Sequence, residues 1–457
     1  MQTHPDKAKA QPQKDFFINM LTKDISLADC ILDLLDNSVD GANNHSRQKS
    51  TEPTVSFAGY KAEIILTEKK FTIIDNCGGI PLDIAKNVAF NFGRPPGKAI
   101  EAKHSIGFYG IGMKRALFKI GDSILIQSST GQEAFLAQIS VDAWSKKEDW
   151  DFELDIYDEQ FPPSGTTIEI EAIDSAVSTD FGNPSFLAEL LETIARDYMF
   201  ILSKGFEIKI NGISVKPATL ALVTGDKFKP LRLTKSLSAK GTTVDVELIV
   251  GLWNFSSQEE DEQTRSEFDS GWYIICNDRV VLAADKTEKS GWGKTKPIGR
   301  KWHSQYKPFI GFALFSSDDP KSLPWNTTKR GVDLTSEIYR QALVLMADAT
   351  KSAIQYTNQR KKNINEAEKL ETQTTRATLL EISPSETLVF PPIEQATETS
   401  TTNTTSATYI VPEIVVSYPM DKRRIQNAKE ALGNSLMSDS EVGKSTFEYF
   451  YSIEVGK

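Results

Sequence analysis

The sequence predicts an α+β protein, and three observations carry that expectation. Short alternating strands (AEIIL at 62–66, FTIID at 71–75, SILIQ at 123–127, TTIEIE at 166–171) are interleaved with helical periodicity at 26–42 and about 184–202. Several neighbouring strands look antiparallel, which favours an α+β sandwich over a strict βαβ repeat. A second strand set (VDVELIV at 244–250, GWYIICN at 271–277, FIGFALF at 309–315) precedes a long helix running from about 336 into RKK at 360–362.

The chain has 457 residues, 39% hydrophobic and 25% charged, enough for at least two cores. With 52 Lys+Arg against 62 Asp+Glu, the net charge of −10 excludes a uniformly basic nucleic-acid coat but leaves room for a basic patch. Cys30, Cys77 and Cys276 are too scattered for a disulfide framework or a zinc site. No apolar run of membrane-spanning length occurs, and the start reads as unexported, so a cytoplasmic setting is expected, with nucleoid association open.

In order, residues 1–15 are polar and expected to be frayed, and 16–215 form the first domain, closing on a hairpin at Asn211-Gly212. A second domain covers 216–362. A Thr/Glu/Ser-rich linker is expected over 363–410, densest at ATETSTTNTTSAT (396–408), with a small appendage at 411–457 that contains FEYFY.

The stretch ADCILDLLDNSVDGANN (28–44) is the most informative. On a helix, Ile31, Leu34, Leu35, Val39 and Ala42 share one side, and Asp29, Asp33, Asp36, Asn37 and Asp40 the other. A solvated face is the plain interpretation. Yet no Lys or Arg lies between Lys23 and Arg47, so the acids lack helical ion-pair partners. An Asp and an Asn four apart point the same way and suit a hydrated Mg²⁺.

FTIIDNCGGIP (71–81) places Asp75 at a strand end before Gly78 and Gly79, either an ordinary turn or an acceptor for an exocyclic amine. HSIGFYGIGMKRALFKIG (104–121) has Gly107, Gly110 and Gly112 running straight into a helix, an arrangement that converges N–H groups on phosphate. Lys114 and Arg115 add charge suited to phosphate. SGTTIEI (164–170) follows.

These four motifs in this order resemble the GHKL superfamily of ATPases, the Bergerat fold shared by gyrase, MutL, histidine kinases, MORC proteins and heat-shock chaperones. The glycine loop is closest in style to MORC and MutL. The resemblance implies a Bergerat-type α/β sandwich over the first domain, then a transducer-like domain, with ATP and Mg²⁺ as ligands. By that resemblance Asn37 takes the magnesium position and Asp33 that of the water-activating acid. Asp75 takes the position that reads the adenine amine, Gly79 lies beneath the base, and Gly107, Gly110 and Gly112 form the phosphate lid with Lys114 beside them. Thr166 supports the adenine side, and Lys329, in LPWNTTKRGVD (323–333), matches a transducer lysine that senses the terminal phosphate.

Two departures stand out. Asp33 replaces the usual Glu, one methylene shorter, and DNCGG puts Cys77, expected to be structural, at a usual glycine. Residues 286–307 carry seven Lys/Arg, one acid, Trp292 and Trp302, either a solvated loop or a duplex-DNA contact. The expectation is thus an ATP-hydrolysing homodimeric clamp or switch acting on DNA, in genome maintenance or antiviral defence. The runner-up is a nucleotide-gated adaptor that recruits a protein partner through 411–457.

Overall fold

The computed structural model describes residues 13–49, 55–93, 103–107, 110–159, 161–253, 270–393, 420–432 and 437–454. The chain forms two compact units, 1–396 and 397–457.

The first unit holds two main sheets. Strands β1 (Lys61–Thr67), β2 (Lys70–Asp75), β3 (Gly121–Ser129), β4 (Ala134–Ser140), β5 (Asp155–Ile156), β6 (Gly165–Ile173), β7 (Glu207–Ile210) and β8 (Ile213–Ser214) make an eight-stranded sheet in the order β5-β4-β3-β6-β2-β1-β7-β8. Its pairings are antiparallel except β1 with β7. The alternation in β1 buries Ala62, Ile64 and Leu66, so one face of the sheet is core. The expected hairpin forms at Asn211-Gly212, both in the left-handed region (φ 47° and 77°). Asn211 also extends the parallel ladder, accepting from Leu66 N at 2.8 Å and donating to Leu66 O at 3.1 Å.

Helices α1 (Lys14–Lys23) and α2 (Leu27–Lys49), with the helix Gly112–Ile120, share the core of this sheet. The frayed start expected over 1–15 does not hold at its last residues, since 14 and 15 are already helical, and 1–12 lie outside the described residues. Lys14 is buried and donates to Trp144 O at 2.8 Å and Lys147 O at 3.0 Å, which ties α1 down from its first residue.

After the short strand β9 (Ala221–Thr224), strands β10 (Leu231–Ala239), β11 (Thr242–Leu252), β12 (Gly271–Cys276), β13 (Arg279–Asp285) and β14 (Phe309–Ser316) form a second sheet, in the order β10-β11-β14-β12-β13. The long helix spans Glu337–Lys362, capped by Ser336 Oγ on Tyr339 N, and Thr350 accepts from the Trp272 indole at 3.1 Å.

The linker expected over 363–410 does not begin at 363. Residues 364–371 are helical, and β15 (Thr375–Thr378) pairs with β9. Ala367, Leu379, Ile382 and Ile393 are buried, and Glu371 accepts from Arg360 Nε at 2.8 Å and from Tyr356 OH at 3.0 Å. Average composition hid these scattered apolar residues, which bury enough surface to order the segment. The densest stretch, 396–408, lies outside the described residues.

In the second unit the described residues form the helices Lys422–Ala431 and Asp439–Glu454. Among the described residues no helix is long and apolar enough to cross a membrane.

Candidate functional site

The apolar face of α2 is buried as its periodicity requires, with Ile31 and Leu35 fully enclosed. The opposite face is not solvated, since Asp33 and Asp36 are only 3% and 1% exposed. Buried carboxylates need cations or donors, and here these come from far along the chain. Arg115 Nε and Nη2 lie 2.6 and 2.5 Å from Asp33 Oδ2, and Lys329 Nζ lies 3.3 Å from Oδ1. Asp36 accepts from Lys329 Nζ at 2.6 Å, Tyr198 OH at 2.6 Å and Arg279 Nε at 3.2 Å. Arg279 also pairs with Asp197 at 3.1 Å, and Arg330 joins Asp197 to Asp29. Burial alone would raise the Asp36 carboxyl, but Lys329 and Arg279 outweigh it and hold the group below its ordinary range. Burial likewise opposes the charge on Lys329, and Asp36 and Asp33 reverse that, raising the amine.

A cavity of about 1240 Å³ opens beside this network. Asp33, Asn37, Asp75, Gly79, Gly107, Gly110, Gly112, Lys114, Thr166 and Lys329 all line it. The structure therefore brings the ten residues given nucleotide-site roles in the sequence to one cavity, while Asp29, Asp36, Trp292 and Trp302 do not line it. Asn37 is exposed to the cavity.

At the β2 end, Asp75 Oδ1 accepts from Cys77 N at 2.9 Å and Thr166 N at 3.2 Å, and Oδ2 accepts from Ser38 Oγ at 2.7 Å. Burial pushes the Asp75 carboxyl up against the pull of these donors. Thr166 Oγ1 lies 3.0 Å from Ser128 Oγ. Gly79 has φ +71°, and a Cβ there would stand 2.0 Å from Ser129 O, so only glycine lets the turn lie on β3. Cys77 is buried with its thiol pKa raised by burial, consistent with packing rather than reactivity.

At the other end, Asp40 gathers the base of the glycine loop. It accepts from Ile106 N at 2.7 Å, Gly107 N at 2.6 Å and Ser105 Oγ at 2.8 Å. Behind it His104 Nε2 and Lys204 Nζ lie 3.5 and 2.5 Å from Asp278 Oδ2. Lys114, whose charge the sequence offered to phosphate, lines the cavity but is already bonded within the protein. It is buried, donates to Ala89 O at 2.8 Å, and burial lowers its amine to about 7.

Lys329 reaches α2 from the loop after β14. Its backbone is left-handed (φ 56°), in a turn where Lys329 N donates to Asn326 O at 3.1 Å and Asn326 N to Gly331 O at 3.0 Å.

Sequence reasoning gave no role to Asp36, Asp40, Ser38 or Arg279. The first two were visible as part of the acidic face. Arg279 carries no local signal, being one arginine at the start of a strand.

Residues 25–167 match the family of histidine kinase-, DNA gyrase B- and HSP90-like ATPases. Over that range the chain is a GHKL-type ATP-binding domain. No curated protein matches the chain.

Proposed function

We propose that the protein is a Mg²⁺-dependent, ATP-hydrolysing switch whose second sheet responds to the nucleotide through Lys329. The observation that carries this reading is the convergence of Asp33, Asn37, Asp75, Gly79, the three lid glycines, Thr166 and Lys329 on one cavity. Asp75 would accept from the adenine amine, with Thr166 beside it and Gly79 beneath the base.

Mg²⁺ fits the donor set. Asn37 offers an amide oxygen open to the cavity, and the described residues hold no cluster of three acids, His or Cys that would cage a metal. The ion would take Asn37, phosphate and water, and would offset phosphate charge. Asp33 would accept a proton from water as the water oxygen bonds to the γ-phosphorus. The bond to the β,γ-bridging oxygen then breaks, and ADP leaves with the electron pair. Lys329 would bind the terminal phosphate and lose that contact on hydrolysis, which links nucleotide state to the second sheet and to ATP-driven pairing of two copies.

Duplex DNA is the proposed client. Lys289, Lys294, Arg300, Lys301 and Lys307 are exposed. Trp292 is buried, and Trp302 packs edge-on against it at 4.8 Å, so the aromatics are structural. The loop would meet phosphates without stacking on bases, giving sequence-independent binding that weakens steeply with salt. A setting in genome maintenance or antiviral defence rests on resemblance to MORC and MutL alone.

A second reading is favoured by a specific observation. Asp33 is already engaged by Arg115 and Lys329, and it is the shorter acid. A nucleotide-gated adaptor that barely hydrolyses ATP would suit that arrangement. Its partner surface would be the helix Asp439–Glu454, where Phe447, Tyr449, Phe450 and Tyr451 are 48 to 70% exposed.

The deciding experiment is Mg²⁺-dependent ATP turnover with and without duplex DNA, beside Asp33→Ala. Turnover lost in Asp33→Ala and stimulated by DNA supports the switch. Tight binding without turnover supports the adaptor.

A further inference from the structure

The two cations on Asp33 are not equivalent. Lys329 has a nearer partner in Asp36, at 2.6 Å against 3.3 Å to Asp33. The Arg115 side chain, among the described residues, is bonded to Asp33 alone, through Nε and Nη2 on one carboxylate oxygen. Both side chains are buried, and both line the cavity.

A guanidinium has five N–H donors in a planar fork, so this contact leaves donors of Arg115 unused beside the cavity. The fork matches phosphate oxygens, and a terminal phosphate carries more charge than one carboxylate. An anion entering next to Asp33 would therefore draw Arg115 before Lys329, because Lys329 must also give up Asp36. Arg115 lies one turn into the helix Gly112–Ile120, which opens against Asp33. A Cβ at Gly112 would stand 3.1 Å from the Asp33 carboxyl carbon, so the reach from acid to phosphate is a side-chain movement at the helix start.

We infer that Arg115 is a terminal-phosphate residue stored on Asp33 in the nucleotide-free protein. Arrival of a triphosphate transfers the guanidinium to the γ-phosphate and in the same movement frees Asp33 Oδ2. Asp33 is thereby masked until the substrate that needs it is bound, and ADP, lacking the terminal group, leaves the pair closed. This inference rests on the ATP-binding reading and adds a residue and a gate to it.

The test compares affinities of the full chain for ADP and for the non-hydrolysable imido analogue of ATP, both with Mg²⁺, by calorimetry. Arg115→Gln is expected to weaken the triphosphate analogue on the order of tenfold while ADP changes less than about twofold. Arg115→Lys, which keeps the charge, is expected to recover part of that loss. Asp33→Asn is expected to strengthen the analogue by roughly threefold or more, because the guanidinium is no longer held back.

Equal losses for both nucleotides, or none, in a folded Arg115→Gln protein would overturn the inference. If Arg115→Gln has no cooperative melting transition, Asp33→Asn decides. Tighter analogue binding supports storage of the arginine, and unchanged or weaker binding refutes it. Failure of the unmodified protein to bind either nucleotide would overturn the ATP reading itself. Binding of both with no Arg115 effect would remove only the gate.

Discussion

The two ends of the cavity are built by different physics. At the Asp75 end the parts lie close in the sheet, since β2 and β6 are adjacent and Asp75 pairs with Thr166 in register. What shapes that end is steric, because glycine is required wherever backbone meets backbone, as at Gly79 and at Gly165, where a Cβ would stand 2.1 Å from Asp75 O. At the Asp33 end the parts are ionic and come from opposite ends of the domain. Arg279 and Lys329 lie 243 and 293 residues from Asp36. The first end is a fixed socket. The second is a set of ion pairs between distant segments, and on the proposed reading of the protein as a nucleotide switch these are the contacts that would exchange.

The largest expected effect tests the ionic end. Asp33→Asn should lower turnover on the order of 10²- to 10⁴-fold, the usual worth of a general base, in a steady-state phosphate-release assay. Unchanged turnover would remove Asp33 from the chemistry.

Next is the network behind it. Arg279→Met leaves Asp36 and Asp197 buried with one cation fewer, which should cost about 3 kcal/mol in denaturant unfolding. A change below about 1 kcal/mol would mean that Lys329 and Arg330 suffice.

The steric end is sharpened by a pair of alanines. Gly131 has positive φ and open space around it, so Gly131→Ala should cost about 1 kcal/mol from backbone strain alone. Gly79→Ala adds the clash with Ser129 O and should cost at least about twice that, with nucleotide binding lost. Equal costs would show that the turn can relax.

The smallest effect is a protonation. The folded Lys114 amine lies near 7, below its ordinary value of 10.5. The unfolded chain therefore binds more protons between these values, and stability should rise as pH increases from about 7 towards 10. Lys114→Met should flatten that rise in melting temperature. If Lys114 meets phosphate, nucleotide binding at pH 8 should take up a proton, read as a buffer-dependent binding enthalpy that the variant lacks.

Much of this site was legible before any coordinates. The helix 28–44 announced itself by its period, Asp75 and Gly79 by a strand running into a glycine turn, and the glycine loop by glycines opening a helix. Each is a signature of local conformation. The missing partners of the acids were legible only as an absence, the lack of any cation between Lys23 and Arg47. For Lys114 the charge was visible in the sequence, while its burial and its bond to Ala89 O were not. The linker was misread from 363 to 393 because composition averages over apolar residues whose value depends on what they pack against.

By itself, then, the sequence determined the α+β class, the ATP-binding motifs and their order, since these follow from φ/ψ preference, hydrophobic period and short-range spacing. Only the tertiary structure decided that Arg115 and Lys329 share Asp33, that Arg279 ties Asp36 to Asp197, and that Asp40 holds the base of the glycine loop. Those pairings depend on which distant segments the folded core brings within 3 or 4 Å, and charge carries no mark along the chain of the partner it will meet.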